Sequence, residues 1–373
     1  MVRIAVSGNT GFIGSHLIRW LRIEKDRYEI LTLDKGVFDN AELLDDICQS
    51  VDVIVHLAGK NRSANDSEIY STNVGLSRKL VESLSRTNAT PHVIVSSSTQ
   101  ETRNNVYGNS KRDARNIIAE WASTHNAKFS GLIIPNVFGP FAKPFYNTVV
   151  ATFSHQLVDG QLPKIDNDAL LQLIYIDELI HFIINVINQG IIGEEVIVPF
   201  TKEIKVSELL KKLETYKDKY LLEGELPDLA TKFELNLFNT FRSYISLDAF
   251  FPKPYKVNQD NRGIFVELAR IGMGGQVSFS TTVPEITRGN HFHTRKIERF
   301  AVISGKAKIE LRKVDEEHKF SYVIDAAECP AYVDMPIWYT HNITNMGSNI
   351  LVTVFWINEP FNPLDGDTYM ENV

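Results

Sequence analysis

Gly8-Asn9-Thr10-Gly11-Phe12-Ile13-Gly14 follows the β-branched run Val2–Val6 and opens Phe12–Arg22, whose apolar spacing predicts a helix. A glycine-rich turn between strand and helix suits a nucleotide. The first glycine permits a tight turn, the next lets the backbone approach a pyrophosphate, and the third lets helix and strand pack closely. The helix start offers free N–H groups and a positive dipole end to phosphate. Such glycines can also make only a turn. The flanking strand and helix favour the nucleotide reading.

Outward from this turn, apolar strands alternate with helices. Strands are expected at Ile30–Leu33, Asp52–Leu57, His92–Val95 and Gly131–Ile134. Helices are expected at Ala41–Ser50, Thr72–Thr87 and Lys111–Thr124. Near-continuous apolar strands separated by helices predict a parallel sheet covered on both faces. Leu171–Ile187 is strongly apolar, but Asp177, Glu178 and His181 interrupt it, so a core strand plus helix is expected. Lys205–Leu222 combines helical spacing with many charges and predicts a solvated helix. The character changes at Phe251-Pro252-Lys253-Pro254. Beyond it, short strands recur with turns between them, from Gly263–Leu268 to Ile350–Ile357, and predict an all-β sandwich or barrel. Two domains are expected, residues 1–245 and 250–373.

Composition limits the function. With 43% hydrophobic and 23% charged residues among 373, the chain can bury two cores and is not a disordered type. A net charge of -7 argues against a nucleic-acid partner, so an anionic substrate needs local N–H groups, Arg or Lys. The start lacks the pattern of a signal peptide, and no run of about 18 apolar residues predicts a membrane span. Cys48 and Cys329 fall in different expected domains, so a disulfide is not expected and a cytoplasmic location is.

Tyr107-Gly108-Asn109-Ser110-Lys111 places a Tyr and a Lys four apart, on one face of a helix. A neighbouring Lys⁺ favours phenolate and is expected to lower the phenol pKa. Such a Tyr can pass a proton to or from an alkoxide formed by hydride transfer. The pair follows Ser96-Ser97-Ser98, a source of a partner hydroxyl.

With Pro135-Asn136-Val137-Phe138-Gly139-Pro140, these motifs resemble the extended short-chain dehydrogenases, which carry a Rossmann-type α/β domain and act mainly on nucleotide sugars. The resemblance implies that Tyr107 is the general acid and that Lys111 orients it and the nicotinamide ribose. It implies that Ser98, with Ser97 as fallback, meets the substrate oxygen, and that Asn136 contacts substrate. Gly8, Gly11, Phe12, Ile13, Gly14, Leu57, Ala58 and Gly59 would hold the cofactor. Members often carry an Arg where Ile133 and Ile134 stand, so one local contact is missing. Asp34 ends the second strand, where a carboxylate would favour NAD, and Lys35 next to it suits a 2′-phosphate. Asp34 can equally be a loop-start residue. The resemblance of the whole chain favours NADP(H), with NAD the alternative.

Gly289-Asn290-His291-Phe292-His293 carries two His two apart, which point to one side of a strand. Glu298 follows closely, and His341 comes much later. Three imidazoles and a carboxylate suit a divalent metal, zinc foremost. Such histidines are also often only exposed. The spacing from His291 through Glu298 to Gly305, with Pro336 through His341 to Asn345, resembles the two motifs of the metal-binding cupins, all-β double-stranded β-helices. Trp338 stands where that family usually has Gly. A turn requiring φ > 0 disfavours Trp, so either the turn differs or Trp338 reaches into or over the pocket.

Taken together, the chain resembles the CapF-like family of capsular polysaccharide synthesis enzymes. The resemblance rests also on Ala58-Gly59-Lys60-Asn61-Arg62, Tyr146–Phe153, Tyr339-Thr340-His341-Asn342-Ile343 and Asp367-Thr368-Tyr369. It implies a UDP-linked 4-keto-6-deoxy-N-acetylhexosamine as substrate. The cupin would epimerise C3, and the reductase would deliver hydride to C4. A homodimer is expected. Two rivals stand beside this reading. One is an NAD-dependent epimerase or dehydratase without net redox, against whose dehydratase form Thr99 and Gln100 speak. The other is a nucleotide-sugar-sensing binding protein with a cupin interaction module.

Overall fold

Strands with no polar alternation have two faces to bury, and here they do so in one sheet. A computed structural model describes residues 1–261, 263–269, 271–272 and 274–373, with the backbone alone for 263–265. Its chain divides into two compact units, Met1–Thr152 with Asp166–Val206, and Phe153–Ile165 with Ser207–Val373.

In the first unit six parallel strands stand in the order Tyr28–Leu33, Val2–Ser7, Val53–His56, His92–Ser98, Phe129–Ile134, Gly193–Ile197. Val53–His56 and Phe129–Ile134 are buried at every position, which explains their uninterrupted apolar runs. On one face Ala5, Ile54, Val93 and Val95 share a core with Leu80 and Leu84 of helix Asp66–Thr87 and with Ile118 and Trp121 of helix Val106–Thr124. From Val2–Ser7 the chain moves to one side of the sheet and then returns to the other. The crevice beyond the carboxyl ends of Val2–Ser7 and Val53–His56 is therefore the switch point where such sheets bind ligands. Leu170–Tyr175 is a strand and Ile176–Gln189 a helix, as the polar breaks in that apolar run predict.

In the second unit two five-stranded antiparallel sheets enclose a core. One runs Lys253–Pro254, Ala331–Met335, Glu298–Ser304, Leu351–Ile357, Gln276–Thr282. The other runs Lys319–Asp325, Lys306–Lys313, Tyr339–Asn345, Thr287–Phe292, Tyr369–Met370. Phe300, Val302, Ile309, Leu311, Val333 and Ile343 fill the space between them, a cupin-like β architecture. Helix Val206–Tyr216 and its continuation Lys217–Leu222 bury Leu209, Leu213, Tyr216 and Tyr220, an apolar stripe hidden among charges. Tyr220 donates to Asp334 at 2.7 Å, and Arg299 grips the same buried carboxylate at 2.7 and 2.9 Å.

Candidate active sites

The glycine turn has the geometry its sequence predicts. Gly8 lies at φ 69°, and a Cβ there would stand 2.8 Å from Ala58 N. A Cβ on Gly14 would lie 2.2 Å from Gly8 O, so only glycine lets helix Phe12–Ile23 sit this close to the strand. That helix has no side-chain cap at Gly11, which leaves its first N–H groups for an anion. Ser7 joins this turn to the neighbouring loop. Its Oγ accepts from Leu57 N and Ala58 N, each at 3.1 Å, so its own proton goes to His56 Nδ1 at 2.9 Å. Burial, with Lys111 adding to it, pushes His56 down to about 3, so the imidazole is neutral.

A cleft of about 610 Å³ opens above these loops. Gly8, Gly11, Phe12, Ile13, Gly14, Leu57, Gly59, Ser98, Tyr107, Lys111 and Asn136 all line it. Ala58 supports it through the bond to Ser7. Asp34 and Lys35 are exposed and stand outside the lining, and Asp34 caps a short helix by accepting from Val37 N at 3.0 Å. Helix Val106–Thr124 begins at Asn105, whose side chain accepts from Gly108 N at 2.7 Å. That cap places Tyr107 in the first turn and Lys111 one turn on.

Strand parity separates the three serines. Ser96 accepts from Lys111 Nζ at 3.3 Å, and Ser98, whose Oγ accepts from Gln100 N at 3.2 Å, lines the same cleft as Tyr107. Ser97 faces the other way and donates to Glu101, which is bonded twice to buried Arg115, at 3.0 and 2.9 Å. The expected lowering of the phenol pKa is corrected. Burial pushes Tyr107 up to about 12, with Tyr146 adding and Ser98 opposing, while Lys111 is turned to Ser96. Burial pulls Lys111 down to about 8, against the pull of Glu101. Asn136 lies on the cleft wall and donates to Gln172 O at 3.4 Å. Ser7 and His56 carry no motif of their own, and only the folded strand ends bring them together beneath the cleft.

In the second unit His291, His293, Glu298 and His341 meet, with one ligand atom of each within 4.8 Å of the others. His291 and His341 are cross-strand partners, and Glu298 comes from the opposite sheet. Glu298 Oε2 lies 3.9, 3.1 and 3.1 Å from the Nε2 atoms of His291, His293 and His341. Burial opposes ionisation of Glu298, yet the three imidazoles hold it well below the usual carboxylate range. His293 Nδ1 bonds to Asp367 O at 2.5 Å and His341 Nδ1 to Tyr339 O at 3.0 Å, which turns both Nε2 atoms to the cluster, where His341 Nε2 meets Glu298 Oε2 at 3.1 Å. Among the described residues nothing meets buried His293 Nε2 in hydrogen-bond geometry, although Glu298 Oε2 stands 3.1 Å away, and a cation between the two would satisfy both. Trp338 keeps the left-handed turn at φ 63° despite its Cβ. Its side chain is fully buried and stacked on Phe292 at 5.5 Å, and its backbone N–H donates to His293 O at 2.7 Å. Lys296 is buried too and donates to Gly366 O at 2.5 Å.

Residues 4–198, over half of the chain, match the model of the NAD dependent epimerase/dehydratase family. The chain belongs to that family. Residues 258–369 of this epimerase/dehydratase chain match the polysaccharide biosynthesis C-terminal domain. The chain is 31% identical to a UDP-2-acetamido-2,6-beta-L-arabino-hexul-4-ose reductase of Pseudomonas aeruginosa, over 99% of this chain and 98% of that protein. It is 33% identical to the solved capsular polysaccharide assembling protein CapF of Staphylococcus aureus, with a TM-score of 0.65, covering 99% and 100% of the two chains. CapF solved with the inhibitor 3-isopropenyl-tropolone is 30% identical, with a TM-score of 0.60 and full coverage of both chains. This member of the epimerase/dehydratase family is thus a CapF-like enzyme, a nucleotide-sugar oxidoreductase of the reductase/epimerase type.

Proposed function

We propose that this enzyme takes a UDP-linked 4-keto-6-deoxy-N-acetylhexosamine through two steps, epimerisation at C3 and reduction at C4, to UDP-2-acetamido-2,6-dideoxy-L-talose. The observation that carries the reading is Tyr107, seated in the nucleotide cleft beside Ser98 and Lys111 and held protonated by burial. The name of the Pseudomonas aeruginosa relative, a reductase of a UDP-linked hexul-4-ose, supports the substrate class.

NADPH, when bound, supplies a hydride to C4. Gly8, Gly11 and Gly14 leave room for its pyrophosphate, and the uncapped start of helix Phe12–Ile23 meets the phosphate charge. Asp34 is engaged as a helix cap, and exposed Lys35 beside it suits a 2′-phosphate. Ser98 donates a hydrogen bond to the C4 oxygen, and Tyr107 gives that oxygen its proton as the carbonyl becomes an alkoxide. A phenol raised to about 12 remains protonated at neutral pH, as a proton donor for reduction must. Lys111 keeps a positive charge beside the reacting groups. Asn136 holds the sugar from the opposite wall.

We assign His291, His293, Glu298 and His341 to a divalent metal, zinc foremost, which when bound supplies Lewis acidity to a carbonyl oxygen. A 4-ketone acidifies the C3–H, so a base and a polarised carbonyl suffice for epimerisation there. The enzyme is read as a cytoplasmic homodimer. For Tyr107→Phe, NADPH oxidation with the 4-keto substrate is expected to fall about 10²–10⁴-fold, the usual share of an acid catalyst. NADPH binding, measured by fluorescence, should persist. Turnover at the unchanged rate would refute the assignment.

A further inference from the structure

The turn that joins His293 to Glu298 is held from the far end of the chain. Asp367 is buried at 5% exposure, in left-handed backbone at φ 39°. Its Oδ1 accepts from Thr294 N at 3.0 Å and Thr294 Oγ1 at 2.7 Å. Its Oδ2 accepts from Arg295 N at 3.1 Å and Lys296 N at 3.0 Å. Its backbone carbonyl takes the Nδ1 proton of His293. One residue thus satisfies the three consecutive N–H groups of the turn and fixes the tautomer of one histidine. The segment around it is anchored to the same strand. Tyr369 stacks on Phe292 at 5.2 Å, Met370 pairs with His291, and Glu371 N donates to Asn290 O at 3.0 Å.

We infer that Asp367, 74 residues beyond His293, is a positioning residue of the centre formed by His291, His293, Glu298 and His341. The inference rests on the metal reading of that cluster. A carboxylate has four lone-pair sites and uses them here on four donors. With the turn so held, His293 and Glu298 keep their places when a cation approaches, and no ordering remains to be done on binding. Asp365 is the contrast. It is a carboxylate two residues away, largely exposed, and bound to the Arg295 side chain, not to the turn's backbone.

Asp367→Asn keeps the shape but sets an amide N–H₂ or a weaker oxygen against the turn's N–H groups. Zinc affinity of the full chain, measured by competition with a chromophoric chelator, is expected to fall about 10- to 100-fold, the usual effect of losing an outer-shell partner. Asp365→Asn should bind as the unchanged protein does. Melting of the metal-free proteins is measured alongside. A purely structural role would lower the melting temperature of Asp367→Asn and leave its zinc dissociation constant unchanged, which would overturn the inference. If Asp367→Asn does not fold, Thr294→Val, which removes one of the four bonds, takes its place, with a drop of up to about tenfold expected. An unchanged constant there overturns the inference equally. Failure of the unchanged protein to bind zinc would remove the metal reading itself and this inference with it.

Discussion

At the residue scale the reductive site turns on two protons of opposite habit. Tyr107 is held up by burial and retains its proton, whereas Lys111 is held down by burial to about 8 and can lose its own. A lysine carries charge below its pKa and none above it. Reductase kcat is therefore expected to fall as pH rises through about 8, and Lys111→Arg should move that limb to higher pH. A limb at the same pH in Lys111→Arg would show that another group titrates there. That Tyr107 and Lys111 share one face of a helix was legible in the sequence because their spacing is local. The split between Ser96, Ser97 and Ser98 was not. It depends on which face of the strand meets Lys111 and which meets Glu101, and that is fixed only when helix Val106–Thr124 packs. The sign of the phenol shift was hidden for the same reason. Proximity of a Lys in sequence says nothing of where its ammonium points or of how dry the phenol becomes.

At the element scale both sites depend on turns that force the backbone. Gly8 and Gly14 satisfy theirs without side chains, and that turn was readable from strand, glycines and helix in succession. Trp338 satisfies its turn against its own Cβ. A left-handed non-glycine residue costs about 1–2 kcal/mol, while removing a buried Trp side chain costs about 3–5 kcal/mol. Loss of the packing therefore outweighs relief of the strain. Trp338→Gly is expected to lower the stability of the stranded unit by about 1–4 kcal/mol, seen as an earlier denaturant transition. A later transition would mean that the strain outweighs the packing on Phe292. Sequence offered a different turn or a Trp338 reaching into or over the pocket, whereas the left-handed turn is kept and the side chain is buried on Phe292, a contact no local pattern announces.

At the scale of the whole molecule, composition and motif order allowed two architectures to be read in one chain, a parallel α/β sheet and an antiparallel β unit. The passage from helix to strand at Leu247–Lys253 was marked by prolines. The allegiance of the helices before it was not. Residues from Ser207 onward cluster with the stranded unit, where Tyr220, Asp334 and Arg299 form a buried network between residues far apart in sequence. Removing one member of such a pair leaves a buried charge without a partner, a penalty no local pattern announces. Asp367 stands out in the sequence only as part of Asp367-Thr368-Tyr369, and its contact with His293 crosses 74 residues.

Both proposed steps, exchange of the C3 proton and reduction of C4, fall to a single chain. The most direct test incubates the purified protein with the UDP-linked 4-keto-6-deoxy-N-acetylhexosamine and NADPH in deuterium oxide. Nicotinamide absorbance reports C4, and mass spectrometry or NMR reports C3. NADPH oxidation together with solvent deuterium at C3 of the product is expected. Deuterium uptake without NADPH oxidation would contradict the reductase assignment, and oxidation with no deuterium at C3 would contradict the epimerase assignment.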